Sequence, residues 1–252
     1  MKEKYFSINT NGNSVRCKIC AENPRSVERV VLALHGFGGQ KDSLAIRHFA
    51  EKTISKYKTT AILSYDHPCH GEDALNRLTL EACDRYMGYV LQYIAEQFPG
   101  AELYNYSTSF GGYLALKYIF EHGNPFRKMA LRCPAINLYE LMTEKVITPQ
   151  DLEKLRSGKD ILAGFDRKVR LCPRFLEEIR DFDLREKDLL DYCEDILIVQ
   201  GTKDEIVSVD AVRQFADDNL IEYIPVKNAD HRFTDPQIMS LTIAEILKFM
   251  FA

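Results

Sequence analysis

Apolar runs alternate with amphipathic segments along most of this chain, and the alternation restricts the folds that it can adopt. Runs with the composition of buried strands are RVVLALHG, TTAILSYD, AELYNYS, KMALRC, DILIVQG and IEYIPV. Segments with a helical spacing of apolar residues lie between them, and QIMSLTIAEILKFMF closes the pattern. Strands that alternate with helices form βαβ units, so we predict an α/β fold with a mostly parallel, twisted sheet and helices on both faces.

The N-terminal segment departs from this alternation. The runs KYFSIN and SVRCKICAE flank TNGN, and the Asn11-Gly12 pair tolerates the positive φ angles of a tight turn. Two strands joined by so short a turn must be antiparallel. An N-terminal antiparallel hairpin is therefore expected beside the parallel strands.

Length and composition fit one globular domain over residues 1–252. Hydrophobic residues make up 46% and charged residues 28%, which is ordinary for a chain that buries one large core. Residues 135–190 interrupt the alternation, because they are dense in charge, with short helical patches and no run typical of a buried strand. An insertion of this length predicts a helical lid over a cleft, with a peripheral helical decoration as the alternative.

Charge and apolar patterning argue against several classes of partner. The chain has 33 basic and 37 acidic side chains, and its net charge of −4 gives no electrostatic case for binding nucleic acid or an anionic membrane. The start MKEKYFSINT lacks the apolar core of a signal peptide, and no apolar run approaches the roughly 18 residues that span a bilayer. Seven cysteines cannot all pair within one chain, so we expect a reduced, cytoplasmic protein.

Three motifs resemble metal or nucleotide sites, but each is incomplete. Cys17 and Cys20 form a C-x-x-C without a second pair, and in a strand they would face opposite sides. His67 and His70 lie in the loop sequence DHPCHGED without the spacing of ligands on a helix. The glycine-rich loop at residues 35–39 has neither G-x-G-x-x-G nor G-K-[ST]. We therefore expect no metal and no cofactor.

The stretch YNYSTSFGGYLALKY joins an apolar strand to an amphipathic helix and contains a variant of the nucleophile signature G-x-S-x-G, with Ser109 at its centre. A strand–turn–helix elbow would expose the Ser109 hydroxyl at the sheet edge, beside the helix N-terminus. Gly111 is the small residue that the elbow needs after the serine, whereas Ser107 replaces the usual glycine before it. Alone, the fragment leaves open whether Ser109 is catalytic or only part of a turn.

A serine nucleophile needs a base that accepts its proton and an acid that orients the base. His231 follows IEYIPV within NADHRF, and Asp204 follows a buried strand within IVQGTKDEIV. Ser109, Asp204 and His231 each lie at the C-terminal end of a predicted strand, so they can meet at one edge of the sheet. Asp230 is a weaker candidate for the acid, because sequence neighbours usually point in different directions. Asp66, after an earlier strand, is a second reserve.

Acyl transfer also requires two N–H donors for the oxyanion of its tetrahedral intermediate. Phe110 directly follows Ser109, and Phe37 lies in the loop His35-Gly36-Phe37-Gly38-Gly39 after a buried strand. We therefore assign the backbone N–H groups of Phe37 and Phe110 to an oxyanion hole. We expect His35 to organise this loop through hydrogen bonds rather than to act as a second base.

Several of these stretches together carry a resemblance. With LHGFGG, YDHPCHGED, STSFGG, GTKDEIV and DHRF, the chain from about residue 28 to its end resembles the α/β-hydrolase superfamily. It looks nearest to small bacterial esterases with a helical cap, including the cinnamoyl and feruloyl esterase type. The resemblance implies a serine hydrolase that cleaves a small carboxylic ester through an acyl-enzyme intermediate and a Ser-His-Asp triad, without a cofactor.

Two alternatives to a carboxylesterase stay open. The same triad serves thioesterases and amide or peptide hydrolases, so the sequence does not separate these bonds. A non-catalytic protein that binds a ligand on a hydrolase scaffold is the other alternative, since fold does not fix function. The expected partner is a small-molecule ester, which is the substrate in the first interpretation.

Other side chains have more ordinary expected roles. Helical spacing places Leu44 on the inner side of its helix, and His48 is expected to be a surface or packing residue. In the insertion, Tyr139, Phe165 and Phe175 are candidates for an apolar acyl pocket, with packing inside the insertion as the alternative.

Overall fold

The structure, a computed structural model, describes residues 1–74 and 76–251. Its strands are β1 (Lys2–Thr10), β2 (Asn13–Ala21), β3 (Arg29–Leu34), β4 (Thr60–Tyr65), β5 (Glu102–Thr108), β6 (Met129–Arg132), β7 (Ile161–Ala163), β8 (Val169–Leu171), β9 (Ile196–Gly201) and β10 (Glu222–Val226). Its α-helices are α1 (Leu44–Lys56), α2 (Leu80–Gln97), α3 (Phe110–His122), α4 (Leu138–Leu141), α5 (Pro149–Arg156), α6 (Pro173–Asp181), α7 (Val209–Asp218) and α8 (Pro236–Phe251). In the described part of the chain, no helix combines the length and the apolar character that crossing a bilayer requires.

The main sheet confirms the predicted α/β fold. In the described residues it has eight strands in the order β1-β2-β4-β3-β5-β6-β9-β10. β1 and β2 form the predicted antiparallel hairpin, and its turn has positive φ at Asn11 (48°) and Gly12 (75°). β2 is antiparallel to β4, and the remaining neighbours from β4 to β10 are parallel.

The order of the sheet reverses at β3, which lies between β4 on one side and β5 on the other. The loops after β3 and β5 therefore leave the same edge of the sheet next to each other. A crevice at such a reversal, beyond the carboxyl ends of the strands, is where open α/β sheets bind ligands. The chain order thus fixes the place of the candidate site.

Helices cover both faces of the sheet. The buried residues of α1 and α8 pack on one face, and those of α2, α3 and α7 pack on the other. Cys17 and Cys20 of β2 belong to these two different clusters, as the two-residue repeat of a strand requires. In α1, Phe49 and Ile54 are buried, but Leu44 at its first position is 61% exposed. The expected inner position of Leu44 is therefore wrong, because Leu44 precedes Phe49 by five residues, which places the two side chains about 140° apart around the helix axis.

The long connection from β6 to β9 contains α4, a π-helical turn at Met142–Val146, α5, the β7–β8 pair and α6. The helices agree with the short helical patches in the sequence. The antiparallel pair β7–β8 has three residues in each strand, Ile161–Ala163 and Val169–Leu171, and was not predicted. Strands this short contain too few residues for a two-residue repeat to stand out.

Candidate active site

Ser109 occupies a strained turn between β5 and α3. Its φ of 52° and ψ of −116° lie outside the regions that non-glycine residues usually adopt. Its side chain caps none of the helix amides, although it stands at the N-cap position. A Cβ on Gly111 would lie 2.7 Å from the His35 carbonyl oxygen, so only glycine permits this approach of helix and strand. This geometry is that of a nucleophile elbow.

Ser107, at the position where the signature usually has glycine, is fully buried. Its hydroxyl donates a hydrogen bond of 2.7 Å to Oδ1 of Asn105, two residues earlier on the same face of β5. Asn105 in turn donates from Nδ2 to the Leu32 carbonyl of β3 at 3.1 Å. The polar groups of both side chains therefore have partners, which explains how the elbow forms without the first glycine.

The structure brings Asp204 and His231 together. Oδ2 of Asp204 lies 2.8 Å from Nδ1 of His231. The other carboxylate oxygen accepts hydrogen bonds from the Ile206 and Val207 amides, each at 2.9 Å, in the turn before α7. Since the Asp204 side chain is 0% exposed, these contacts hold it in one orientation.

Asp204 remains ionised in this environment. Burial raises the pKa of its carboxyl, but hydrogen bonds from His231 and the Val207 amide outweigh burial and hold the pKa below its usual range. A carboxylate only accepts hydrogen bonds, so Nδ1 of His231 carries the shared hydrogen. In the neutral imidazole, Nε2 then has a free lone pair and can accept a proton.

Ser109 and His231 line the same cavity. Among the described residues, no hydrogen bond joins the Ser109 hydroxyl to the His231 imidazole. In enzymes without substrate such contacts are often long and tighten when the substrate binds. The arrangement is therefore compatible with a serine whose proton passes to His231.

The glycine-rich loop after β3 lies against the elbow. A Cβ on Gly36 would lie 3.3 Å from Cβ of Ser109, and the rings of Phe37 and Phe110 meet edge to face with centroids 6.0 Å apart. In the described structure, no turn or cap hydrogen bond uses the amide of Phe37 or Phe110. Both amides are thus available near Ser109, as the oxyanion assignment requires.

Three histidines support this loop from inside the protein. His35 donates from Nδ1 to the Gly36 carbonyl at 2.8 Å, and its Nε2 accepts from the His67 amide at 3.2 Å. Burial lowers the pKa of His35 to about 4 and that of His70 to about 3, and it lowers the pKa of His67 well below its ordinary value. Both ring nitrogens of His35 are used, so it organises the loop and is not a second base.

Neither reserve acid contacts His231 through a hydrogen bond. Asp66 is fully buried and accepts hydrogen bonds from the Lys41 ammonium and amide, both at 2.8 Å, and from the Glu72 amide at 3.0 Å. Asp230 accepts from the Thr234 amide at 2.8 Å and from its hydroxyl at 2.6 Å. Both carboxylates are occupied in holding loops.

The cavity beside Ser109 has a volume of about 580 Å³. Leu44 and His48 of α1 form part of its wall, although the sequence suggested only packing or surface roles for them. Phe165, in the β7–β8 loop, lines it and is 48% exposed, which agrees with the pocket alternative rather than with packing inside the insertion. Phe175 instead packs in the core against Phe110, and Tyr139 borders a different pocket.

The β7–β8 loop reaches two sides of the cavity. Asp166 forms an ion pair of 2.5 Å with Arg232, next to His231. Arg167 donates to the side-chain oxygen of Gln40 at 3.2 Å, at the end of the glycine-rich loop. This loop therefore joins the two segments that flank Ser109.

Sequence reasoning missed two neighbours of the site. Arg132 ends β6 and lines the cavity, and Cys133 follows it with a positive φ of 47°. Cys133 lies close to the Asp204–His231 pair. The Cys133 sulfur, a carboxylate oxygen of Asp204 and a ring nitrogen of His231 all lie within 4.8 Å of one another, which is a spacing that a metal ion could bridge. Asp84, Glu121 and His122 form another such group, on the surface. Only the position at the end of the strand KMALRC signalled Arg132.

A doubly wound sheet of this order, with a strained serine after β5, defines the α/β-hydrolase fold. Residues 25–160 match the family described as serine aminopeptidase, S33. The match covers more than half of the chain, so the protein belongs to this family and is a hydrolase of the serine type. No curated protein sequence gives a significant match.

Solved structures share the fold across nearly the whole chain. Est1E from Butyrivibrio proteoclasticus with ferulic acid bound superimposes with a TM-score of 0.78 at 16% identity over 97% of each chain. Alpha/beta hydrolase domain-containing protein 10 from mouse gives 0.73 at 15% identity, also over 97% of each chain. The Pyrococcus furiosus esterase Pf2001 gives 0.68 at 15% identity over 98% of this chain and 91% of its own. At these identities the likeness concerns the fold.

Proposed function

We propose that the protein is a carboxylesterase that cleaves a small carboxylic ester with Ser109, His231 and Asp204. The observation that carries the proposal is the 2.8 Å contact between Asp204 and His231 at a cavity that also contains the strained Ser109. An exposed serine, an oriented imidazole and a buried carboxylate are the parts that nucleophilic acyl transfer needs.

In the first half of the reaction, the Ser109 oxygen attacks the ester carbon while Nε2 of His231 takes the hydroxyl proton. The amides of Phe37 and Phe110 donate to the oxyanion that forms. As the intermediate collapses, the bond to the alcohol oxygen breaks and His231 returns the proton to it. Water then attacks the acyl-enzyme by the same route and releases the acid. Asp204 stabilises the imidazolium in both halves.

The charges of the cavity favour an ester over an aminopeptidase substrate, although the family name includes aminopeptidases. Recognition of a free α-ammonium group requires an unpaired carboxylate near the nucleophile. Among the described lining residues, Asp166 is the acid, and it is already paired with Arg232. Ferulic acid is bound to Est1E, which has a similar fold, so aromatic acyl groups belong among the first substrates tested.

We further propose that the chain is one domain in which the connection from β6 to β9 acts as a lid. The β7–β8 loop supports this role, because Asp166 and Arg167 attach it to the two segments that flank Ser109. Phe165 then provides an apolar surface above the cavity. A peripheral decoration would have no reason to line the cavity.

The decisive experiment compares Ser109→Ala with Ser107→Gly. We expect Ser109→Ala to abolish hydrolysis of para-nitrophenyl butyrate and labelling by a fluorophosphonate probe, with the melting temperature retained. Ser107→Gly removes a neighbouring serine and restores the usual signature, so it should keep turnover within a few-fold of wild type. Rapid turnover by Ser109→Ala would refute the nucleophile.

The fluorophosphonate result also separates an enzyme from a silent binding protein, because an inert serine does not react. A panel of matched acyl esters, acyl thioesters and aminoacyl amides, compared by kcat/KM, separates the alternatives of bond type. A higher kcat/KM for the thioester or the amide would contradict the carboxylesterase proposal while leaving the triad in place.

A further inference from the structure

Arg132, the last residue of β6, is a buried cation that forms no ion pair with any residue the structure describes. It is 6% exposed, and its Nε has no hydrogen-bond partner. One terminal nitrogen lies 3.5 Å from the sulfur of Met239, and the guanidinium carbon lies 5.2 Å from the centre of the Phe233 ring. Among the described residues, no carboxylate oxygen lies within 4.0 Å of its nitrogens.

Such a side chain is costly to bury, because an arginine keeps its charge inside proteins and loses the water that would solvate it. The face of Phe233 offsets part of this cost through a cation–π contact. It leaves Nε without an acceptor and one terminal nitrogen with only the weak acceptor of the Met239 sulfur. Guanidinium donors suit the two oxygens of a carboxylate. The protein itself supplies no such acceptor in the described structure.

Arg132 lies directly beside the nucleophile. It pairs in register with Thr108 of β5, and its carbonyl accepts a hydrogen bond of 2.9 Å from the Ser109 amide. Arg132 lines the same cavity as Ser109, and its guanidinium contacts Met239 in the first turn of α8. A molecule in the cavity can therefore reach the guanidinium and Ser109 at once.

The rest of the cavity reinforces a preference for anions. Arg167 and Arg232 also line it, against the single described acid Asp166. Asp166 is paired with Arg232, and the Arg167 guanidinium donates to the neutral Gln40 side chain and forms no ion pair with a described residue. The cavity is thus locally basic in a chain whose net charge is −4.

We propose that the ester substrate carries a carboxylate, which Arg132 binds while Ser109 attacks the ester carbonyl. This inference rests on the proposed carboxylesterase function. A neutral ester of the same length leaves the guanidinium unpaired, whereas the carboxylate supplies the missing acceptors. Arg132 is in this way a specificity-determining residue of the site.

The test compares two esters that differ in one end group, mono-para-nitrophenyl glutarate and para-nitrophenyl valerate. We expect wild type to prefer the glutarate ester in kcat/KM, and Arg132→Met to lower the ratio of the two kcat/KM values about 10- to 100-fold. Methionine keeps most of the side-chain length and can pack on Phe233. Arg213→Met on the exposed face of α7 removes the same charge away from the cavity, so the ratio should stay at the wild-type value.

Two outcomes would overturn the inference: an unchanged ratio in Arg132→Met, or an equal loss of ratio in Arg213→Met. Should Arg132→Met fail to fold, inhibition of valerate ester hydrolysis in wild type decides. Glutarate must then inhibit, and the neutral diamide of glutaric acid must not. Inorganic phosphate is the third compound tested as an inhibitor, and tighter binding of phosphate than of glutarate would contradict a carboxylate site.

Calorimetric binding of free glutarate to Ser109→Ala separates this inference from the proposed function. Binding to Ser109→Ala that is lost in Ser109→Ala/Arg132→Met supports the anion site even if neither ester is hydrolysed. Hydrolysis of both esters without glutarate binding leaves the carboxylesterase proposal intact and refutes the role of Arg132.

Discussion

Asp66 and Asp204 are two buried carboxylates that follow strands β4 and β9 of the same sheet, and each side chain is 0% exposed. Each also accepts backbone amide hydrogen bonds from its own loop. They differ in the basic side chain that each carboxylate contacts. Asp66 faces Lys41, which is 5% exposed, whereas Asp204 faces His231, which lines the cavity.

At one edge of the sheet, one buried carboxylate thus holds two loops together, and the other contacts an imidazole that lines the cavity. Asp66 and Lys41 do not line the cavity, and their charges hold the segment after the glycine-rich loop against the loop after β4. The pair of Asp204 and His231 opens on the cavity, where the imidazole can exchange a proton with a bound molecule. A carboxylate after a strand is therefore a weak signal of catalysis until its partner and the access of that partner are known.

The largest effect is expected for Asp204→Asn, which removes the charge that stabilises the imidazolium. We expect kcat for para-nitrophenyl butyrate to fall about 10⁴-fold, with little change in melting temperature. Asp66→Asn is the matched variant, and it should lower the melting temperature while the folded fraction keeps its turnover. Equal losses of activity in the two variants would contradict the different roles assigned to Asp66 and Asp204.

A second prediction concerns stability. Lys41→Met leaves Asp66 buried and uncompensated, so the free energy of unfolding should fall by about 3–5 kcal/mol in urea titration. Glu72 also contacts Lys41, at 2.6 Å, but is 63% exposed. Glu72→Gln should therefore cost less than about 1 kcal/mol. A loss for Glu72→Gln as large as that for Lys41→Met would show that burial does not govern this network.

The effect that is smallest per step of its measurement, one pH unit, concerns the histidines that pack beside the Asp66 loop. Burial lowers the pKa of His35 to about 4 and of His70 to about 3, from an ordinary value of 6.5. The unfolded chain binds these protons first, so stability is full above pH 6.5 and is lost as pH falls towards those values. Each histidine contributes about 1.4 kcal/mol per pH unit within that window.

His70→Asn provides the measurement, because the asparagine amide can replace the donor that His70 offers to the Pro68 carbonyl. In urea titrations between pH 6.5 and 4, the free energy of unfolding should fall less steeply in the variant than in wild type. The difference between the two slopes should be about 1.4 kcal/mol per pH unit. Above pH 7 the free energy of unfolding should depend on pH in the same way in both proteins. Identical slopes in the acid range would mean that His70 titrates in the folded protein as it does in the unfolded chain.

The sequence predicted most of the sheet, because the buried strands are uniform apolar runs and Asn11-Gly12 fixes the first turn. It also predicted the meeting of Asp204 and His231, since both follow parallel strands that end at one edge. The pair β7–β8 escaped prediction because three-residue strands show no repeat. Arg132 escaped because a charge at a strand end looks solvated until the cavity beside it is known.

Asn105 and Ser107 have a consequence for how sequences of this kind are recognised. The first small position of the elbow holds a buried serine, whose hydroxyl donates a hydrogen bond to the side-chain oxygen of the asparagine two residues upstream. Searches that demand glycine will pass over such chains, whereas a pattern that allows N-x-S-x-S-x-G would retrieve them. This corner of the fold thus accepts a small side chain whose hydroxyl has a hydrogen-bond partner, and does not require glycine.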